Sequence, residues 1–95
     1  MCGIAALLRR PGIAVPDGTL ERMTADVAHR GPDGSGTEYL TLGEPGWRVG
    51  LGHRRLAVLD LSDAGRQPMA YRGSLWITYN GEIYNYLELR RDLGR

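Results

Sequence analysis

The spacing of apolar and polar positions predicts short strands that lie between two helices. The apolar run Gly3–Arg9 stops at the letters RPG, which is typical of a buried strand that enters a turn. Within 17–29, apolar residues recur at helical spacing and predict an amphipathic helix capped by Asp17. A second helix is predicted over 85–93 and ends at Gly94. The apolar face of the first helix consists of Leu20, Met23 and Val27.

Four further segments have the character of strands. Those at 37–42 and 47–53 are separated by the letters GEPG, which predicts a β-hairpin. Two more strands are predicted at 56–59 and 74–79, with a loop at 62–69 between them. Because strands predominate between two helices, and no repeat or linker interrupts them, the chain is predicted to have an α+β fold.

Composition and charge exclude several classes of protein. A formal net charge of +1 argues against the basic surface that nucleic-acid binding requires. All 12 basic residues are arginines, and the absence of lysine excludes a Walker A phosphate loop and Schiff-base catalysis. The longest apolar run, Ile4–Leu8, is far shorter than the roughly 18 residues that a membrane span needs. The amino terminus does not resemble a secretory signal, so we expect a cytoplasmic protein with no membrane partner.

The single cysteine, Cys2, directly follows the initiator methionine. One cysteine cannot form an internal disulfide, and Cys2, His29 and His53 lack zinc-ligand spacing, so no metal site is predicted. If the methionine is removed, Cys2 carries both a thiol and a free α-amino group, and that amine can accept the thiol proton. The alternative is that Cys2 is a small, half-buried hydrophobic residue at the start of a strand.

Two other motifs contain groups that a nucleophilic thiol needs. Asn80 offers a carboxamide beside the unshielded backbone amide of Gly81, which are donors typical of an oxyanion hole, although Asn-Gly is also a common hairpin turn. Arg54 and Arg55 occupy adjacent strand positions that face opposite sides, so only one can bind a substrate carboxylate in a given pocket. Either arginine could instead lie on the surface. We interpret His53 as a structural, half-buried histidine.

Four ordered blocks are more specific than any single motif. They read MCGIAALL, HRGPDGSG, LGHRRLAVLDLSDAGRQPM and NGEIYNYLELR. Together they resemble the amino-terminal glutaminase domain of glutamine-hydrolysing asparagine synthetases, which are class II glutamine amidotransferases among the amino-terminal-nucleophile (Ntn) hydrolases. The resemblance covers essentially the whole chain. It implies a four-layer αββα sandwich with antiparallel sheets, of which residues 1–95 would form the amino-terminal half.

The resemblance also implies a reaction. Cys2 would attack the side-chain amide of glutamine with its own α-amino group as the base, while Asn80 and the Gly81 amide would form the oxyanion hole. Glutamine and water would become glutamate and ammonia through a thioester on the cysteine. In complete enzymes of this family, a synthetase domain in the same chain passes the ammonia to an aspartate activated by ATP and magnesium. No cofactor is expected within the present segment.

Substrate-binding roles follow from the same resemblance. Arg55 would bind the α-carboxylate of glutamine, and Glu82 would help to hold its amino end. The backbone around Val58 and Leu59 would line the same pocket. Arg30, in the HRGPD letters, would lie in a loop packed near the site and have a structural role.

The chain departs from the family pattern in its length. Since the family's glutaminase domain is longer, residues 1–95 are expected to be a partial domain without its carboxyl-terminal half or the ATP-dependent synthetase domain. We therefore expect little glutaminase activity from the isolated segment. Two alternatives stay open: an inactive remnant that serves as an interaction module, and an amidotransferase that supplies ammonia to a different acceptor.

Overall fold

The computed structural model describes residues 2–43, 46–57 and 62–94. These contain five strands, two α-helices and two single-turn 3-10 helices. In chain order the strands and α-helices are β1 (Gly3–Arg9), α1 (Thr19–Asp26), β2 (Gly34–Leu42), β3 (Trp47–Arg55), β4 (Met69–Tyr71), β5 (Leu75–Ile77) and α2 (Tyr86–Asp92). The 3-10 turns are Ala28–Arg30 and Asp63–Gly65. Antiparallel sheets with two helices confirm the α+β prediction.

The larger sheet has the strand order β1-β3-β2, and both pairings are antiparallel. Gly3 pairs with Arg54 and Gly34 pairs with Arg55, so the starts of β1 and β2 meet the end of β3 at one end of the sheet. The hairpin predicted from the GEPG letters is confirmed as β2 and β3. The strand predicted at 56–59 is wrong at its first two positions, because β3 ends at Arg55 and residues 56–57 follow as irregular chain.

Helix α1 packs on one face of this sheet through a small core. Leu20 is fully buried, and its Cδ2 lies 2.8 Å from the position that a Cβ on Gly50 would take. Thr24 is also buried, and a Cβ on Gly52 would overlap its hydroxyl. Glycine at both sheet positions therefore allows the helix to approach the strand closely. Leu20 is the one buried hydrophobic side chain in the part of the chain that the structure describes.

The predicted bounds of the first helix need correction at both ends. Gly18, with a φ of 80°, occupies the amino-terminal cap, and no side chain caps the helix. The predicted cap at Asp17 is therefore wrong, since this residue lies one position too early; the Thr19 hydroxyl donates instead to the Pro16 carbonyl at 2.6 Å. At the other end, Val27 leads into the 3-10 turn Ala28–Arg30, so the α-helix stops before the predicted boundary at 29.

The carboxyl-terminal part of the chain forms a smaller and more open unit. Strands β4 and β5 make a two-stranded antiparallel sheet, which shortens the strand predicted at 74–79 and places Met69 in a strand rather than in the predicted loop. Helix α2 confirms the second predicted helix, and Gly94 follows it with a φ of 76°. Its Leu89 and Leu93 are 42% and 72% exposed. Within the described residues, neither α-helix is long and apolar enough to cross a lipid bilayer.

Candidate active site

Cys2 lies at the end of the sheet where β1 begins. The backbone N–H of Leu56 donates to its Sγ at 3.3 Å, and the Leu56 carbonyl oxygen lies 3.7 Å from the same sulfur. Arg30 Nε donates to the Cys2 carbonyl oxygen at 3.0 Å. The cysteine is a half-buried free thiol that is fixed at its backbone and at its sulfur. Arg30 has the structural contact near the site that was expected of it.

Cys2 and Arg55 share the face of the sheet that is opposite to α1. A Cβ on Gly3 would lie 2.7 Å from the Val27 side chain, so residue 3 faces the helical side. Its cross-strand partner Arg54 faces the same side. Because side chains alternate along a strand, residues 2 and 55 point to the other face. The thiol and one guanidinium therefore belong to one surface.

The two adjacent arginines are used differently. Arg54 Nε donates to the Gly31 carbonyl at 3.0 Å, which ties β3 to the loop before β2. Arg55 Nη1 donates to the Ser62 carbonyl at 2.6 Å. The Arg55 guanidinium also occupies the space that a Cβ on Gly65 would need. A larger residue at position 65 would displace the Arg55 guanidinium.

A cavity of about 690 Å³ opens on the face that carries Arg55. This volume is within the range of about 300–1,000 Å³ that is usual for small-molecule sites. Charged side chains of both signs line this cavity. Residues 55 and 57 also line it, and they flank Leu56, whose backbone N–H donates to the Cys2 sulfur. The charged lining residues are Asp33, Arg55, Asp63 and Arg66. A cavity with both signs of charge suits a small zwitterion.

Asp33 connects the loop before β2 to the chain beyond β3. Its backbone N–H donates to the Arg55 carbonyl at 2.9 Å, and its Oδ2 accepts from the Ala57 N–H at 2.9 Å. These bonds lie on both sides of Leu56, which contacts the thiol. Our sequence reasoning did not select Asp33 as a site residue. The HRGPD letters were the available signal, but the contact joins residues 24 positions apart.

The NGE letters lie in irregular chain between β5 and α2. Asn80 is half-buried, whereas Gly81 and Glu82 are exposed. A helix rather than a second strand follows Asn80 and Gly81, so the hairpin-turn alternative is wrong. Among the described residues, none of these three forms a hydrogen bond to Cys2. The structure therefore does not join the predicted oxyanion groups to the thiol through a direct bond.

The residue before Asn80 is fixed to the large sheet. Tyr79 donates its backbone N–H to Gln67 Oε1 at 2.6 Å, and its carbonyl accepts from His53 Nε2 at 3.0 Å. His53 is 1% exposed, so it is buried rather than half-buried as expected. Burial lowers the pKa of His53 below 6.5, the positive charge of Arg55 lowers it further, and the bond to Tyr79 opposes both.

Two further points concern the predicted pocket and the binding of metal ions. Val58 and Leu59, predicted to line the glutamine pocket, lie outside the described residues. A metal site would need several ligating side chains together, and the described chain contains no group of three or more His, Cys, Asp or Glu residues arranged to hold an ion.

Comparison with known proteins identifies the family. The profile of the glutamine amidotransferase domain matches residues 1–95. The chain is 41% identical to a Methanocaldococcus jannaschii protein named as a glutamine-hydrolysing asparagine synthetase, and the match covers 95% of this chain and 20% of that protein. Asparagine synthetase 3 of Bacillus subtilis is 42% identical, with 98% of this chain and 15% of that protein covered.

A relative with a different name also matches. Gibberella zeae amidase chry2 is 35% identical over 98% of this chain and 15% of its own length. The chain thus spans a fifth or less of the length of these relatives, from 15% to 20%. No solved structure matches. Since the family profile extends over the whole chain, this chain belongs to the glutamine amidotransferase domain family.

Proposed function

We propose that this chain is the glutaminase part of an asparagine synthetase and that it hydrolyses glutamine to glutamate and ammonia. One observation carries the proposal: the Cys2 thiol is fixed on Leu56 and shares its sheet face with Arg55 and the cavity of mixed charge. The names of the Methanocaldococcus and Bacillus relatives support the same activity. The alternative of an inactive interaction module has no comparable observation in its favour.

Arg55 is the group that we propose for the α-carboxylate of glutamine. It lines the cavity, and its bond to the Ser62 carbonyl orients one edge of the guanidinium. The planar guanidinium can bind both oxygens of a carboxylate, which fixes the orientation of an amino acid as well as its position. Glu82 is our proposal for the amino end, since its charge is opposite to that of the substrate ammonium. Val58 and Leu59 complete the proposed pocket.

The proposed chemistry begins once the initiator methionine has been removed. The α-amino group of Cys2 accepts the thiol proton, and the sulfur forms a bond to the amide carbon of the glutamine side chain. Asn80 and the Gly81 N–H stabilise the negative charge that develops on the amide oxygen. When this intermediate collapses, the carbon–nitrogen bond breaks, and the nitrogen takes the proton from the α-ammonium and leaves as ammonia.

The second half of the reaction reuses the same groups. Water attacks the thioester carbon while the α-amino group takes its proton, and the same two donors hold the new oxyanion. The carbon–sulfur bond then breaks, the sulfur takes the proton back from the α-ammonium, and glutamate leaves from the restored Cys2 thiol. No step needs an oxidant, a reductant or a metal ion. Water and glutamine are the two reactants.

We propose the Ntn-hydrolase αββα fold for the complete glutaminase domain and cytoplasmic asparagine synthesis for the whole protein. The sheet face opposite to α1 carries apolar side chains such as Ile4 and Leu8, which are 48% and 64% exposed, and a second antiparallel sheet would cover them. The ammonia would pass to an aspartate activated by ATP and magnesium in a synthetase domain. Because the Gibberella relative is named an amidase, the acceptor is tested separately from the hydrolysis.

Glutamine labelled with ¹⁵N in its side-chain amide tests the proposal in the native protein. With aspartate, ATP and magnesium present, we expect the label in asparagine, and the Cys2→Ala variant should lose this transfer. The same variant should still make labelled asparagine from ¹⁵N-ammonium, which controls for the synthetase reaction. Label that appears only as free ammonia would contradict the proposed acceptor. Glutamine hydrolysis that does not depend on Cys2 would contradict the proposed glutaminase function of this chain.

A further inference from the structure

Two side chains that line the cavity, and that the sequence did not predict as site residues, hold the peptide that leads into Asn80. We infer that His53 and Gln67 are positioning residues that orient Asn80 and Gly81 for oxyanion binding, an inference that rests on the proposed glutaminase function. They bind opposite ends of the Tyr79 backbone, with Gln67 on its N–H and His53 on its carbonyl. The family resemblance assigned a catalytic role to neither His53 nor Gln67.

Gln67 is itself fixed by its backbone. A Cβ on Gly36 would overlap the Gln67 carbonyl oxygen, so the chain at residue 67 lies directly on β2. Gly36 is the cross-strand partner of His53. Gln67 is not part of a strand, but its backbone lies against β2 beside the position that pairs with His53. The half-buried Gln67 side chain reaches Tyr79 at 2.6 Å, a short distance for a neutral N–H donor and an amide oxygen.

His53 is a nearly fully buried polar side chain. It is 1% exposed and pairs across strands with Ile4 on one side and Gly36 on the other. Because a carbonyl only accepts hydrogen bonds, Nε2 must carry the hydrogen in the bond to Tyr79. The neutral imidazole with its proton on Nε2 satisfies this bond. Thr78 provides a third contact between this segment and the large sheet, since its hydroxyl donates to the Gly52 carbonyl at 3.2 Å.

The planarity of the peptide bond transmits these contacts to Asn80. The Tyr79 carbonyl and the Asn80 N–H belong to one rigid peptide unit, so a bond that orients the carbonyl also orients the start of Asn80. Only the dihedral angles of Asn80 then remain to direct its carboxamide and the following Gly81 N–H. An oxyanion forms only as the amide carbon is attacked, so correct aim at this point affects the transition state more than substrate binding.

A purely structural role makes a different prediction. If His53 and Gln67 only anchor the chain that follows β5, their loss should reduce the folded fraction without separating kcat from KM. If they orient the oxyanion donors, kcat should fall while KM for glutamine and the state of the thiol stay unchanged. Alkylation of Cys2 by iodoacetamide reports on the thiol, because this reaction needs the sulfur but no oxyanion hole.

The Gln67→Met and Gln67→Glu variants of the native protein form a matched pair. Methionine removes the acceptor at similar length, whereas glutamate keeps an oxygen that can accept from the Tyr79 N–H. We expect Gln67→Met to lower kcat for glutamine hydrolysis by up to about 10²-fold, as misplacement near the reacting atoms can. KM and the rate of Cys2 alkylation should stay within about twofold of the wild-type values. Gln67→Glu should recover most of kcat.

His53→Phe and His53→Gln provide a second pair on the other bond. Phenylalanine fills the buried site without a donor, and glutamine offers an N–H at a similar distance along the side chain. We expect kcat to fall in His53→Phe and to recover in His53→Gln. If His53→Phe does not fold, the Gln67 pair alone decides, because Gln67 is only half-buried.

Three results separate this inference from the function on which it rests. Wild-type hydrolysis that survives in Cys2→Ala would overturn the proposed function before any positioning variant is compared. With Cys2-dependent hydrolysis established, an unchanged kcat in Gln67→Met would overturn the positioning role alone. A rise in KM without a fall in kcat would also overturn it, because it would assign Gln67 to substrate binding. A selective fall in kcat that glutamate restores supports it.

Discussion

The two parts of the candidate site are held by the fold in different ways. The thiol and Arg55 are on or beside β3, where three strands, Arg30 and Asp33 fix the local backbone by bonds of 2.9–3.3 Å. Asn80 and Gly81 lie in irregular chain, and the described contacts of this segment with the sheet run through the two residues before Asn80. The proposed nucleophile and the proposed carboxylate-binding group are therefore fixed by the sheet, whereas the proposed oxyanion donors depend on how one short segment docks.

This difference assigns different kinetic consequences to the two parts. Changes at the sheet end should remove the nucleophile or weaken glutamine binding. Changes in the docked segment should leave glutamine bound and reduce the rate of the chemical step. The predictions below test that division in the native protein, from the largest expected effect to the smallest.

The Cys2→Ala variant should show the largest effect. Removal of the sulfur prevents thioester formation, so glutamine hydrolysis should fall by about 10⁴-fold or more, as is typical when a covalent nucleophile is lost. Glutamate release measured by a coupled assay checks this. Synthesis from free ammonium should be retained, and equal loss of both activities would show that Cys2 supports the fold rather than the chemistry.

Asn80→Ala tests the docked segment directly. Loss of one oxyanion donor should lower kcat by about 10²–10³-fold and leave KM for glutamine little changed. Tyr84→Phe is the matched control on the same segment, since it keeps the ring of this 92% exposed side chain and changes no oxyanion donor, so its kinetics should stay close to those of the wild type. A rise in KM alone in Asn80→Ala would place this residue in substrate binding and remove the proposed division.

Arg55→Ala and Arg54→Ala compare the two faces of β3. Loss of the charge-assisted bonds to the substrate carboxylate should raise KM for glutamine about 10–100-fold in Arg55→Ala. Steady-state kinetics should find KM within about twofold of wild type in Arg54→Ala, because Arg54 faces α1 and binds the Gly31 carbonyl. Equal effects of the two changes on KM would contradict the proposed binding of the glutamine carboxylate by Arg55.

Asp33 offers a smaller test of the sheet end. Asp33→Ala removes the acceptor for the Ala57 N–H, so it should lower kcat/KM about tenfold by loosening the chain that holds Cys2. Asp33→Asn keeps an oxygen that can accept the same bond and should retain most of the activity. If both variants lose activity equally, the charge of Asp33 matters and this hydrogen bond does not explain its role.

The smallest expected effect is a dependence of stability on pH. Since burial lowers the pKa of His53 below 6.5, the unfolded chain binds more protons than the folded one as the pH falls below that value. The contribution of His53 to the free energy of unfolding is therefore complete above pH 6.5 and is lost progressively on acidification. Denaturant unfolding at several pH values should show this loss, and His53→Gln should reduce it. If the free energy of unfolding depends on pH in the same way in His53→Gln as in the wild type, the lowered pKa of His53 does not cause this dependence.

Local patterns were sufficient for much of the sheet. The apolar run at Gly3–Arg9 and the GEPG letters predicted β1 and the β2–β3 hairpin, because strand periodicity and turn chemistry are encoded by neighbouring residues. The alternation of strand side chains also separated Arg54 from Arg55 before their contacts were known. The helix cap was wrong because Gly18 rather than Asp17 adopts the cap conformation, a choice that depends on the preceding turn.

The supporting contacts of the site were beyond local patterns. Asp33 and Ala57 are 24 positions apart, and His53 and Tyr79 are 26 apart, so no short motif joins them. Gln67 stood in a block that was recognised by resemblance, but its bond to Tyr79 depends on how the chain crosses Gly36. Such contacts follow from tertiary packing, which periodicity does not describe.

The central claim is that the sulfur of Cys2, at a free amino terminus, forms the covalent intermediate. Rapid quenching of the native protein during glutamine turnover, followed by mass spectrometry of the amino-terminal peptide, tests it most directly. We predict a peptide that begins at Cys2, without Met1, and that carries the mass of a glutamyl group on this residue. A peptide that retains Met1 and carries no adduct while glutamate is being released would contradict the account.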